Sequence, residues 1–549
     1  MNNAGLRNGG VFGALRAEPL FDRWNDRGTF IGTCRRTRPG HGVPTGRLGN
    51  DDPFRALGKQ RGRLKGRGNG RIHGGFVCHS SCAKSRSDSY TTRAMPYYTK
   101  LGQIPKKRHV QFRRPDGALY SEEVFGTEGF VGPTSTLYHI NPPTQVIGWK
   151  TLYSTKVEYI ETDVMRMRHL KTAVMPAKGD PITGRVVVFG NSDVEMAMCV
   201  PAEKMDYFYK NAMGDECIFI HFGSGTVHTM FGTLKFGPKD YVIIPKGIVY
   251  RMTFDKTKDG EQAPRFVVFE TANGSHIGPP PRYLSKKTSQ FLEHAPYCER
   301  DLRMPELPLT FDKKGEYEVR IKARDLVHSY MYTHHPLDVV GWDGCYYPYC
   351  FNVDDFSPIV GKLHMPPPIH QTFEGHNFVI CSFCPRLLDF HPDAIPVPYN
   401  HSNLDSDEIL YYVEGNYKAR KGIEPGSISV HPQGIPHGPH PGTVEKSLGA
   451  RETSELAVMC DTFRPMFPTK AAMAFDDLAY PQSWEGEHFP VSLDQHHADG
   501  AHRKPSAQAK GKSAAKGKSA AKSKSAAKSK TPAKGTSAKA AKDVGSTWQ

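Results

Sequence analysis

Between about residues 95 and 490, apolar residues come in short runs, β-branched or aromatic, closed off by Gly, Pro, Asn or Asp. Gly184-Arg-Val-Val-Val-Phe189, Tyr241-Val-Ile-Ile244 and Phe378-Val-Ile-Cys-Ser-Phe383 are typical. Runs this short between turn residues predict strands. One stretch, Ser285 to Glu293, predicts a helix. Many short strands joined by Gly/Pro turns predict an all-β-dominated fold, a sandwich or barrel rather than alternating βαβ units.

Outside that span the pattern is lost. Residues 1–94 are rich in Gly, Arg and Ser, as in Arg61-Gly-Arg-Leu-Lys-Gly-Arg67. From about residue 500 the chain repeats Lys, Ala, Ser and Gly with almost no large apolar side chain. Such segments cannot offset the entropy of ordering, so both tails are expected to be disordered. The C-terminal one resembles the tails of histone-like proteins, whose chemistry is counterion release on a polyanion. Met95 marks the change in composition and is an alternative start, in which case the upstream residues would not be made.

Charge sharpens this division. The 549 residues carry +16, but residues 1–94 hold 18 Lys/Arg against 6 Asp/Glu and residues 500–549 hold 13 against 1. Each tail is therefore +12, and the 405 residues between them are at −8. The basic balance describes the tails, and an acidic body argues against nucleic acid as the partner of the folded part. No run reaches the roughly 18 apolar residues of a membrane span, so no membrane partner is expected. Eleven cysteines, an odd number in a long chain without an export signal, imply free thiols and a cytoplasmic location. Cys381 and Cys384 form a C-x-x-C inside an apolar run and read as buried strand residues before metal ligands. Cys78 and Cys82, near His73 and His79, could form a small zinc site, but a disordered thiol pair is the simpler reading.

The chemistry concentrates in two segments. The first is Pro398-Tyr-Asn-His401-Ser-Asn403-Leu-Asp-Ser-Asp-Glu408, followed by the apolar run Ile409 to Val413 and Gly415. The second is Gly426-Ser-Ile-Ser-Val-His-Pro432-Gln-Gly434-Ile-Pro-His437. They resemble the two halves of the cupin signature, with Asn403 at the second histidine place. A small jelly-roll barrel would converge His401, Glu408 and His437 in its mouth, and two imidazoles with one carboxylate form the facial triad of non-haem Fe(II) sites. Each residue alone reads more simply as a loop histidine or a solvated acid. All three in both half-motifs favour a metal.

An earlier stretch echoes the spacing: Tyr209, Asn211, Glu216 and Gly223, then Pro245, Gly247 and Tyr250. Tyrosines stand at two of the histidine places, so this resembles a second cupin barrel without a metal. His221 and His228 nearby read as structural. The expected organisation is a bicupin: 1–94 a basic extension, 95–330 a degenerate cupin domain, 331–490 a metal-binding cupin domain and 491–549 a disordered Lys/Ala/Ser-rich tail.

The body also resembles the homogentisate 1,2-dioxygenase family over about residues 95–480. The resemblance rests on Gly341-Trp-Asp-Gly-Cys-Tyr-Tyr-Pro-Tyr349, Pro398 to Asn403, Glu408 with Gly415-Asn-Tyr417, and Pro436-His437-Gly-Pro439. It implies Fe(II) held by His401, Glu408 and His437. It implies Tyr417 and His437 beside the substrate, and His364, in His364-Met-Pro-Pro367-Pro-Ile369, as the catalytic acid/base. His370 competes for that last role, and the six residues between His401 and Glu408 depart from the five of animal members. The implied reaction is ring cleavage of homogentisate by O2 to 4-maleylacetoacetate, in tyrosine and phenylalanine breakdown, by a homo-oligomer. The alternatives are a related aromatic such as gentisate, or a structural cupin whose tails bind nucleic acid or another polyanion weakly.

Overall fold

A computed structural model describes residues 97–258, 260–306, 310–361, 367–415, 417 and 422–485. Both basic tails, Met95, the Cys78/Cys82 pair and His364 lie outside the described residues.

The fold is strand-dominated, with two cupin-like jelly-roll barrels. Two large antiparallel-rich sheets form the first. A seven-stranded sheet includes Val146–Ser154, Phe208–Asn211, Tyr250–Phe254, Lys314–Ala323 and Leu326–His334. It faces an eight-stranded sheet that includes Val186–Gly190, Val194–Cys199, Glu216–Phe222, Asp240–Ile244, Arg265–Thr271 and Tyr349–Asn352. The second barrel is built on a six-stranded sheet: Gln371–Gly375, Phe378–Phe383, Leu456–Thr462, Asp407–Glu414, Ile428–His431 and Arg168–Leu170.

The barrels share a wall. Strands Glu216–Phe222 and Asp240–Ile244 are buried almost throughout, although an antiparallel strand with one wet face would alternate. Their second face packs on the six-stranded sheet: His221 Nδ1 lies 2.7 Å from the Tyr411 hydroxyl, and the Tyr241 and Ser382 hydroxyls are 2.8 Å apart. Burial and the Arg265 charge lower the His221 imidazole to about 4, so it sits there neutral. His228 is held by Thr253 at 3.2 Å. One continuous core therefore runs through both barrels.

The chain also crosses between them. Residues 330 and 331 lie inside the strand Leu326–His334, and Val339–Gly344 and Tyr349–Asn352 pair with strands from the first half of the chain. The Gly341–Tyr349 motif is accordingly core: Trp342 is fully buried and donates its indole N–H to the Phe231 carbonyl at 2.8 Å.

The runs Gly184–Phe189, Tyr241–Ile244 and Phe378–Phe383, expected as strands, fall on the strands Val186–Gly190, Asp240–Ile244 and Phe378–Phe383. The helix expected at Ser285 to Glu293 is not. The segment is a turn in which the Ser285 hydroxyl accepts from the backbone of Lys287 and Thr288, Ser289 has φ 62°, and Leu284 bridges Phe291. Serine and threonine hydroxyls compete with the helical ladder for backbone partners, and here they win. Cys381 and Cys384 are buried free thiols whose pKa burial pushes up, Cys384 to about 12.

Candidate metal centre

Strand alternation points Glu408, Leu410 and Tyr412 to one side and Ile409 and Tyr411 to the other. The first set faces a cavity of about 190 Å³, and the second packs on the first barrel. Gly415, at φ 97°, ends the strand where a Cβ would lie 2.2 Å from the Ser454 carbonyl oxygen. Opposite Glu408, the loops carrying His401 and His437 are tied by a reciprocal pair of backbone hydrogen bonds, each 2.8 Å. Gly434, at φ 72°, turns the second loop and donates to the Asn403 carbonyl at 2.6 Å.

The three side chains converge as expected. His401 Nε2 is 3.2 Å from Glu408 Oε1, and His437 Nε2 is 3.0 Å from Glu408 Oε2. One ligand atom from each lies within 4.8 Å of the others. Each imidazole donates Nδ1–H to the carbonyl two residues upstream, His401 to Tyr399 at 3.2 Å and His437 to Ile435 at 3.0 Å. That fixes the tautomer and leaves a lone pair on each Nε2 facing the carboxylate. Lone pairs converging on one point are satisfied by a cation, so this donor set fits a metal ion. Asn403, at the second histidine place, donates to Glu408 Oε1 at 3.2 Å.

The cavity is an apolar slot with the centre at its end. Ile369, Phe383, Leu387, Ile395 and Met459 line it with Tyr417, His401 and Glu408. Tyr417 is buried, packs on Tyr412 with ring centres 4.6 Å apart, and donates its hydroxyl to the Leu456 carbonyl at 2.9 Å. His370 lines the same cavity, its ring 4.6 Å from Phe383. Four neighbours of the triad had no local signal in the sequence. His431 is fully buried, stacks on His437 at 4.5 Å and is the cross-strand partner of Glu408. Asp461 flanks Glu408 on its other side, and burial and the Glu408 charge push its carboxyl up. Arg386 brings a guanidinium to the cavity wall, 3.2 Å from Glu455. Trp484 donates to the Gly438 carbonyl at 3.0 Å and stacks on His440, clamping the His437 loop from outside.

The family description "Homogentisate 1,2-dioxygenase N-terminal" matches residues 114–353, and "Homogentisate 1,2-dioxygenase C-terminal" matches residues 353–489. The chain belongs to the homogentisate 1,2-dioxygenase family. A protein of Saccharolobus solfataricus named "Putative dioxygenase" is 37% identical over 396 residues, 71% of this chain and 99% of its own. A homogentisate 1,2-dioxygenase of Rhizobium leguminosarum is 25% identical over 461 residues, 74% of this chain and 97% of its own. A cupin 2 conserved barrel domain protein from Leptotrichia buccalis aligns with 57% of this chain and 100% of its own at 9% identity and a TM-score of 0.24. Among the described residues no helix is long and apolar enough to cross a membrane.

Proposed function

We propose that this dioxygenase-family chain is an Fe(II)-dependent, ring-cleaving enzyme that converts homogentisate and O2 to 4-maleylacetoacetate. The observation that carries the reading is the triad of His401, Glu408 and His437 at the end of an apolar slot. Two neutral nitrogens and one carboxylate suit Fe(II), and three protein ligands leave positions for substrate and O2. Bound iron would bring the two reactants together and let electron density pass between them.

The chain's own residues do the rest. The apolar walls take the ring and exclude water. Tyr417 borders the ring, and Arg386 meets the acid group of the substrate. A neutral imidazole takes the phenol proton, His364 by the family resemblance, with His370 on the cavity wall as its competitor. Both atoms of O2 enter the product as one ring C–C bond breaks.

The test is O2 consumption by the iron-loaded protein with homogentisate, run beside gentisate. Turnover of gentisate alone would replace the substrate, and the 37% relative, whose name gives no substrate, is the reason to run it. Ala at 401, 408 or 437 should strip iron and abolish turnover with the barrel still folded. Full iron content in all three variants would overturn the ligand set.

A further inference from the structure

The first barrel keeps the geometry of a cupin site and fills it differently. Glu216 occupies the place that Glu408 holds in the second barrel and is fully buried. Where the second barrel converges imidazoles, the first supplies the Tyr250 hydroxyl, 2.5 Å from Glu216 Oε2, and the guanidinium of Arg185, paired with Glu216 Oε1. The carboxylate is neutralised by an internal cation, so no metal is needed. Burial alone would lower the Arg185 pKa, but Glu216 holds it well above the ordinary value, and the charge is permanent.

Above this pair lies a cavity of about 620 Å³, between the two sheets of the barrel. It is much larger than the slot at the metal centre and within the usual range of ligand sites. Ile182, Val186, Val187, Ala197, Val268 and Val327 give it an apolar wall. Its charged lining has a definite sign. Arg185 and Lys322 lie within, with Lys156, Lys178 and Lys470 exposed at the rim. Against these five stand four carboxylates, Glu158, Glu195 and Glu270 on the lining and Glu216 paired with Arg185. Lys322 bonds Glu270 at 2.6 Å, and Glu195 accepts from the Tyr159 hydroxyl at 2.7 Å. Lys470 pairs with Glu158 at 3.4 Å, so Lys156 and Lys178 are left against Glu195, a small cationic excess at the mouth of a body that is net acidic. Arg185 has five N–H positions. Three serve Pro181, Glu216 and Tyr250, leaving two without a partner among the described residues.

We infer that the first barrel holds a second ligand site, separate from the metal centre, for a small organic carboxylate. The acid group sits against Arg185 and the rim lysines, and its carbon skeleton lies on the valine wall. This inference stands whether or not homogentisate is the substrate.

The probes are phenylacetate and succinate, an aromatic and an aliphatic acid, titrated calorimetrically into the full chain carrying Glu408→Ala. That variant removes the iron, and binding that Arg386→Gln weakens while Lys156→Gln/Lys178→Gln leaves it unchanged is binding in the slot and overturns the inference. One probe should bind at one site per chain, with affinity falling at least tenfold between low and high salt. Lys156→Gln/Lys178→Gln, at exposed positions that the fold does not need, should weaken it about tenfold. Arg185→Gln should abolish it where circular dichroism shows the variant folded. No binding by either probe, or binding that both sets of substitutions leave unchanged, overturns the inference. Failure of the O2 assay would leave this result untouched.

Discussion

At the scale of single residues, the centre depends on which nitrogen carries the proton. His401 and His437 each commit Nδ1 to a backbone carbonyl, so Nε2 faces Glu408 before any ion arrives. The acid/base is a separate matter. His364→Ala should keep iron and lose roughly 10²–10⁴ in turnover, the usual worth of a positioned proton carrier. If His370→Ala shows that loss and His364→Ala does not, His370 is the base. Arg386 offers a second test. Its guanidinium reaches the slot, and its partner Glu455 also lines it. A charge-assisted bond to the substrate acid is worth about 1.5–3 kcal/mol, so Arg386→Gln should raise KM roughly 10–100-fold with kcat little changed. Glu455→Gln, which removes a repelling carboxylate, should lower KM. Equal KM values in all three proteins would remove Arg386 from recognition.

At the scale of elements, a buried cluster ties Thr134–His139 to the start of Val339–Gly344. His139 Nδ1 is 2.8 Å from Asp338 and Nε2 is 3.0 Å from Glu123. Burial alone would lower this imidazole, but the two carboxylates carry it up to about 9. Its pKa in the unfolded chain is about 6.5. A raised folded pKa gives stability that is complete below the unfolded value and disappears as pH rises through the folded one. A shift of this size corresponds to about 3 kcal/mol, lost between about pH 6.5 and 9. Denaturant unfolding of the parent and His139→Gln should show a gap at pH 6 that closes by about pH 9.5. A gap independent of pH would mean that the imidazole is not charged in the fold.

At the scale of the whole molecule, the acidic body and the basic tails separate in charge. A chain of Met95 to Asp499 should turn over at close to the full-length rate, because every residue assigned to the centre lies within it. Its affinity for DNA should fall sharply and lose its steep salt dependence. Removing 31 Lys/Arg removes the counterion-releasing charges and leaves a body that repels phosphate. Filter binding across a salt series checks this, and an inactive trimmed chain would make the tails part of the enzyme.

The sequence by itself determined the strand-rich class and the convergence of His401, Glu408 and His437, because both are local. Period and turn residues decide a strand within a few positions, and the two half-motifs hold His401, Glu408 and His437 at spacings that a hairpin and a tight loop convert directly into proximity. It did not determine the turn at Ser285 to Glu293, where side-chain bonds to the backbone displaced the helical ladder. Nor did it disclose Asp461, His431 or Arg386 beside the centre. Asp461 and His431 reach Glu408 only through the register of neighbouring strands, and Arg386 only through the closing of the barrel. The same holds for the first barrel. Tyr209, Glu216 and Tyr250 could be read as a cupin site without a metal, but the cation in the metal's place, Arg185, lies 31 residues before Glu216 and belongs to no motif. Tertiary packing also made one sheet the wall of both barrels. Contacts between strands far apart in the chain are long-range pairings that no local pattern encodes.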